Sequence, residues 1–278
     1  MLEATYHVHL KYCNHAEGVA EDYIKKAIEL GFKEIGFSDH APVEEYFLGP
    51  ELYYKYKCNR NMKLKDVDIY LNDVRTARIK YKDKLSVLLG FETEFFPAYL
   101  EHYKMLRGLV EYLNLGVHFF PLEDGTFVNT FFECNYTNIE RYADICIMAM
   151  ETGLFNNLVH PDLFMYSYKD INGERLFDST CEHVTRRIIE AAIKNNIYLE
   201  INANGIFVSN GKGINNYEDW LYPHYNFWRI ASEYPKLKIL IGADAHLINN
   251  LGGSHIADAI GLARRYNLKI QKRMGVNH

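Results

Sequence analysis

Nine side chains that can ligate a cation stand where apolar, strand-like runs of this sequence come to an end. His7 and His9 form His-Val-His at the close of a first run, and the two-residue period of an extended chain turns both imidazoles to one face. His15 follows in the next loop. His40 sits in Ser-Asp-His after a second run and Glu92 in Gly-Phe-Glu after a third. His118 and His160 end a fourth and a fifth, and Asp244 and His246 follow a seventh as Asp-Ala-His. Imidazoles and carboxylates without thiolates suit zinc, manganese or iron at a catalytic site. A catalytic zinc takes about three protein ligands and keeps a position for water. Nine donors therefore imply two or three divalent ions, with one carboxylate shared between a pair. Paired ions roughly 3.5–4 Å apart share a hydroxide at neutral pH and clamp the oxygens of an in-line displacement at phosphorus. The other histidines (His102, His183, His224, His255 and His278) fall in helical or terminal segments and read as structural.

Such a cluster needs a scaffold that delivers strand ends to one rim. Short β-rich runs at 4–9, 34–38, 85–91, 113–118, 157–160, 197–202 and 238–243 alternate with helical periods at 19–31, 99–112, 138–152, 180–195, 217–234 and 254–266. Strands apolar on both faces, each followed by an amphipathic helix, predict a parallel sheet covered by helices. Seven of them favour a closed or nearly closed (β/α)7 barrel, whose active site belongs at the C-terminal rim where the loops converge. Residues 45–82, irregular, rich in Tyr and Lys and helical from about residue 65, read as an insertion in a single domain. Its Tyr53, Tyr54 and Tyr56 read as cover over a core more readily than as pocket lining.

The 278 residues carry 31 Lys+Arg and 36 Asp+Glu, a formal charge of −5, with 48% hydrophobic residues. That composition excludes a disordered chain, and its mild acidity argues against a dedicated nucleic-acid binder. Five scattered cysteines with no Cys-x-x-Cys pair exclude a disulfide framework and a thiolate zinc site. No signal-peptide pattern opens the chain and no apolar run reaches the roughly 18–20 residues of a membrane span. These features predict a cytoplasmic, thiol-reduced, soluble protein. Gly205 to Gly213 spaces its glycines too widely for a phosphate-binding P-loop.

The ordered motifs resemble the PHP (polymerase and histidinol phosphatase) family over about residues 5–266. The residues that carry the resemblance are His-x-His, Cys-Asn-His, Ser-Asp-His-Ala-Pro, Gly-Phe-Glu, Val-His, His-Pro-Asp, Glu-Ile-Asn and Gly-Ala-Asp-Ala-His. Cys-Asn-His-Ala-Glu-Gly and Leu-Glu-Ile-Asn-Ala-Asn-Gly are phrased as in its histidinol-phosphate phosphatase branch. The resemblance implies a distorted (β/α)7 barrel with a trinuclear centre. His7, His9, Glu92 and Asp244 would hold the first ion. Glu92 would bridge to a second completed by His118 and His160, and His15, His40 and His246 would hold the third. It also implies hydrolysis of a small phosphomonoester, L-histidinol phosphate above all; a phosphoesterase of other specificity and a non-catalytic metal module are the alternatives. Proton delivery to the leaving group falls to Asp244, Asp39 or a water on the third ion beside His40 and His246.

One departure stands out. Where the branch places two arginines for the substrate phosphate, this sequence has Met165 and Phe207. Lys169 and Lys212 are the nearby cations that could compensate, although a lysine is a point charge and does not reproduce a bidentate guanidinium fork.

Overall fold

The computed structural model describes residues 2–56, 58 and 61–276. His278 lies outside the described residues, as do Lys57, Asn59 and Arg60 of the insertion. In chain order the elements are β1 (Ala4–Thr5), α1 (Ala20–Glu29), β2 (Glu34–Phe37), α2 (Glu45–Leu48), α3 (Pro50–Lys55), α4 (Val67–Tyr81), β3 (Ser86–Thr93), α5 (Leu100–Leu109) and β4 (Tyr112–Leu115). There follow β5 (Phe119–Pro121), β6 (Phe127–Asn129), α6 (Ile139–Glu151), β7 (Asn157–Leu158), α7 (Ser179–Lys194), β8 (Tyr198–Asn202), α8 (Ala203–Gly211), α9 (Tyr225–Ala231), β9 (Lys238–Gly242) and α10 (Ser254–Arg265).

Seven strands pair in the order β1-β2-β3-β4-β7-β8-β9, all parallel. The sheet curls until its ends meet. Val8 bridges Ala245 in parallel, and the His9 amide donates to the Ala245 carbonyl at 3.0 Å. The result is the distorted seven-stranded barrel that the alternation of runs predicts.

Side-chain alternation divides the barrel into an outside and an inside. Ile35 and Phe37, Val87, Leu89 and Phe91, Leu113 and Leu115, Leu199 and Ile201, and Ile239 and Ile241 pack outward in the main core shared with the helices. Inward positions form layers. Ala4, Tyr6, Leu88, Tyr112, Tyr198 and Leu240, with Met274, make an apolar plug. Above it Asn114 donates to the Tyr6 carbonyl at 2.7 Å and accepts from Asn157 at 3.2 Å. Glu92 and Glu200 come next along the same inward faces, so the interior grades from apolar to acidic toward the rim.

The Tyr112 ring fills the barrel beside the backbone of Gly90, and its hydroxyl lies 3.0 and 2.9 Å from the Tyr6 and Phe37 carbonyls. A Cβ at Gly90 would stand 2.5 Å from the Tyr112 ring, too close for any side chain.

Two expectations are corrected. The first strand is shorter than 4–9, since only Ala4–Thr5 pairs regularly and the chain then shifts phase toward the Val8 bridge. Within 217–234 only Tyr225–Ala231 is helical; Pro223 disfavours helix at the residue before it, so the helix starts beyond the proline. The sequence pattern marks no element at 203–211, where α8 begins directly after β8 and the Asn202 side chain caps it by accepting from the Gly205 amide at 2.9 Å. The chain between β4 and β7 also forms a β5–β6 hairpin, paired Phe119 to Asn129. The insertion comprises α2, α3 and α4; Phe47, Leu48, Tyr53, Tyr56 and Cys58 pack with Phe96 and Phe119 in a separate small core. Among the described residues, no helix is long and apolar enough to cross a membrane.

Gly90→Ala is expected to lower stability by about 1–3 kcal/mol through overpacking against Tyr112. A thermal melt checks this, and an unchanged midpoint would mean that the Tyr112 ring can move aside.

Candidate metal centre

All nine predicted ligands meet at one end of the barrel, and they meet around Glu92. This carboxylate is buried (1% exposed) and faces two ways. Its Oε2 lies 3.4 Å from His7 Nε2, 3.5 Å from His9 Nε2 and 3.1 Å from His40 Nδ1. Its Oε1 lies 3.4 Å from His118 Nε2 and 3.0 Å from His160 Nε2. Asp244 Oδ1 completes the first side, 3.4 Å from His7 Nε2 and 3.3 Å from His9 Nε2. A third grouping adjoins these: His9, His15, His40 and His246 hold their ring centres between 4.1 and 6.5 Å apart.

Local structure explains why these atoms converge. His7 and His9 face inward because the chain shifts phase after β1, and Glu92 is the last inward residue of β3. Gly116 follows β4, and a Cβ there would stand 2.3 Å from Glu92 Oε1, so the absence of a side chain gives the carboxylate its room. His160 (φ 34°) and Asp244 (φ 46°) occupy the left-handed backbone region that non-glycine residues rarely adopt. Each such residue costs on the order of 1–3 kcal/mol and persists where the surrounding structure over-determines it.

The histidines are also oriented from behind. His7 Nδ1 is 2.9 Å from Glu200 Oε1, His118 Nδ1 is 2.6 Å from Glu94 Oε1, and His15 Nδ1 is 2.7 Å from the Cys13 carbonyl. Each contact fixes a ring so that Nε2 points into the cluster, the arrangement by which partners outside the ligand shell aim imidazoles at a cation. Asn202 and Asn204 donate to Asp244 Oδ2 at 3.1 and 3.2 Å, which leaves Oδ1 turned to the histidines.

The unpartnered atoms test whether this set fits cations. His7 Nε2, His9 Nε2 and Glu92 Oε2 are buried and converge without a hydrogen-bond partner. An unsatisfied buried polar group costs about 1–3 kcal/mol, so several gathered at one point mark a place built for something other than protein. Divalent ions fit the donor types, their facing geometry and their burial. Three of the buried or rim groups have ligand atoms within 4.8 Å of one another: His7, His9 and Asp244; His7, Glu92 and His160; and His9, His40 and His246.

The charge states agree. Burial alone would raise Glu92, but His40, His7 and His118 hold it well below the usual carboxylate range; His7 and His9 likewise hold Asp244 down against its burial. Burial holds His40 well below its ordinary value and lowers His246 to about 3. Burial thereby favours in both rings the neutral form that donates a lone pair. Burial opposes charge on His7, yet Asp244, Glu200 and Glu92 outweigh it and draw the ring toward the protonated form. Metal binding displaces such protons.

The centre opens into a cavity of about 340 Å³ lined by His15, His40, Glu92, His118, His160, Asp244 and His246, with Tyr56, Phe119, Phe131, Phe132 and Tyr222 among its other walls. Asp39 does not line it. That residue is wholly buried behind His9, its Oδ1 3.7 Å from His9 Nδ1, and both its oxygens lack hydrogen-bond partners. It thus lies outside the cavity, away from where the leaving group it was expected to protonate would sit. Met165 is buried in the main core and Phe207 packs on His255, so neither arginine-equivalent position faces the cavity. Lys169 is exposed and does not line the cavity, against expectation. Lys212 comes nearer: its Nζ lies 4.5 Å from the centre of the Tyr166 ring, and Tyr166 packs on the lining residues Phe131 and Tyr222. Tyr56 lines the cavity, Tyr53 is cover and Tyr54 is exposed. His102, His224 and His255 bond to backbone outside the cluster and His183 lies at the surface, as expected.

The supporting carboxylates Glu94 and Glu200 were absent from the expected set. Their signal was present: Glu94 follows Glu92 by two residues, the period of one strand face, and Glu200 opens the Glu-Ile-Asn motif on an inward position.

A family model for the PHP domain matches residues 5–204. The chain is 25% identical over 163 residues to a probable histidinol-phosphatase from Deinococcus radiodurans, a stretch covering 56% of this chain and 59% of that protein. It is 21% identical over 270 residues to the histidinol-phosphatase of Bacillus subtilis, covering 90% of this chain and 96% of that one. The chain thus spans about three-fifths of the first relative and nearly all of the second. Its fold is shared with a histidinol phosphate phosphatase from Lactococcus lactis solved with zinc, L-histidinol and phosphate, at a TM-score of 0.70, 16% identity and full coverage of both chains.

Glu200→Ala removes the acceptor that aims His7. It is expected to weaken metal retention by about 10–100-fold, read as metal content after dialysis against a chelator series. Retention equal to that of the unaltered protein would show that the Glu200 contact does not set the His7 ring.

Proposed function

Because the chain belongs to the PHP domain family, we propose that it is a metal-dependent phosphatase of small phosphomonoesters, hydrolysing L-histidinol phosphate to L-histidinol and phosphate. The observation that carries this reading is the two-faced Glu92, which presents one oxygen to each of two histidine groups and so fits a carboxylate shared by neighbouring ions. The names of the Deinococcus and Bacillus relatives support the substrate. So do the ligands of the Lactococcus structure.

His7, His9, Glu92 and Asp244 are assigned to a first ion, Glu92, His118 and His160 to a second, and His15, His40 and His246 to a third. Zinc, manganese or iron there would activate water and neutralise charge on a phosphoryl group, which is most of what phosphoryl transfer requires. The chain's own residues do the rest. Glu200 and Glu94 hold His7 and His118 in register, and Asn202 and Asn204 keep one oxygen of Asp244 facing inward. Of the catalytic candidates, Asp244, His40 and His246 line the cavity. Asp244 and His246 are themselves held deprotonated, so proton delivery to the leaving oxygen is assigned to a water at the His40–His246 edge. Lys212 is assigned to the approach of the anionic substrate at the rim, a steering role that falls with ionic strength.

The barrel with its 45–82 insertion acts as one phosphoesterase domain. Five buried cysteines without disulfides suit a reducing, cytoplasmic setting, and neither nucleic acid nor membrane is required as a partner.

Removing metal with a chelator is expected to lower hydrolysis of L-histidinol phosphate by at least about 100-fold, with recovery on adding zinc or manganese. Phosphate release from L-histidinol phosphate, glycerol 3-phosphate, phosphotyrosine and AMP measures both activity and choice. Turnover that survives metal removal, or a metal-loaded protein inert toward every ester, would overturn the proposal. Selective turnover of another ester would keep the phosphatase and replace its substrate.

A further inference from the structure

The cavity has two unlike sides. One is the metal-ligand cluster. The other is aromatic and comes largely from the β5–β6 hairpin and the turn after it, which supply Phe119, Phe131 and Phe132, with Tyr56 reaching in from the insertion. This side is rigidly built. The Tyr56 ring stacks on Phe119 with centres 4.8 Å apart and planes 15° from parallel, and its hydroxyl donates to the Phe127 carbonyl at 3.0 Å. Phe131 lies parallel to His118, 5.7 Å away and tilted by 5°, so it runs beside a metal ligand. The turn that carries it is tied by the Phe131 amide to Asn129 Oδ1 at 2.9 Å and by the Thr130 hydroxyl to the Val117 carbonyl at 2.8 Å.

Phe132 is the informative residue. It lines the cavity yet is 76% exposed, and its ring centre lies 6.4 Å from that of Phe131. A large apolar ring left in water at the mouth of a metal site gains nothing for the fold, whereas a ligand that covers it recovers the burial. The charged groups on the described walls are carboxylates and histidines, with no lysine or arginine among them. Aromatic faces next to carboxylates favour planar rings and cations over further anions.

We propose that Phe131 and Phe132 form the leaving-group subsite and determine specificity, selecting monoesters whose alcohol carries a planar, uncharged or cationic ring. The proposal rests on the phosphatase reading and adds to it. With phosphate at the metal ligands, the alcohol extends toward the hairpin, where Phe132 closes over the ring. An imidazole beside an ammonium group has the required chemistry.

The test uses the zinc-loaded protein and compares L-histidinol phosphate with glycerol 3-phosphate, whose alcohol has no ring. Because Phe132 is mostly exposed, Phe132→Ala takes nothing from the core. The variant is expected to lower the preference for histidinol phosphate over glycerol 3-phosphate by about two- to tenfold, mainly through KM rather than kcat, and Phe132→Tyr is expected to restore it. A preference ratio unchanged in Phe132→Ala overturns the proposal, as does a loss carried wholly by kcat. If the unaltered protein ignores histidinol phosphate but prefers phosphotyrosine in a Phe132-dependent way, the subsite stands and the histidinol assignment falls. If it turns over none of the three esters, the phosphatase reading itself falls.

Discussion

A single buried carboxylate organises this molecule. Glu92 sits at the centre of the barrel mouth with five imidazoles within 3.5 Å of its two oxygens. Placing an ionised carboxylate out of water is expensive unless opposite charge and ligands surround it. Every layer beneath it serves that requirement. The apolar plug of Tyr6, Leu88 and Tyr112 closes the barrel floor, the Asn114–Asn157 pair begins the polar layer, and bare backbone at position 116 leaves space for the carboxylate itself.

The surrounding groups are arranged to keep charge and direction fixed. Glu200 and Glu94 stand behind His7 and His118, two asparagines stand behind Asp244, and a carbonyl stands behind His15. The ligands therefore cannot rotate to satisfy one another. Two strand ends, His160 and Asp244, also carry strained backbone, in keeping with the concentration of strain at functional sites. Such a centre trades stability of the bare polypeptide for a site that cations complete.

Much of this was legible in the sequence, for identifiable reasons. Strands buried on both faces read as unbroken apolar runs, so β3, β8 and β9 stand out, as do the ligands that close β3 and follow β9, and the nine donors were recognisable because their type recurs at one position in the repeat. Less was legible where local pattern and tertiary role diverge. The α8 segment, with Gly205 and Gly211 and little amphipathic period, has poor helix propensity and is held by the Asn202 cap and by packing. The β5–β6 hairpin is only three residues a side, too short for alternation to show. Asp39 follows a strand and has the right chemistry, but whether it faces the cavity or hides behind His9 depends on a register that spacing does not reveal. Lys169 and Lys212 look alike in sequence, and only packing on Tyr166 separates them.

Crystals of the metal-loaded protein, measured above and below the absorption edge of the bound element, test the central claim most directly. The account predicts two or three anomalous peaks inside the cluster, with one pair straddling the two oxygens of Glu92. A lone peak away from Glu92, or no peak among the nine side chains, would contradict it.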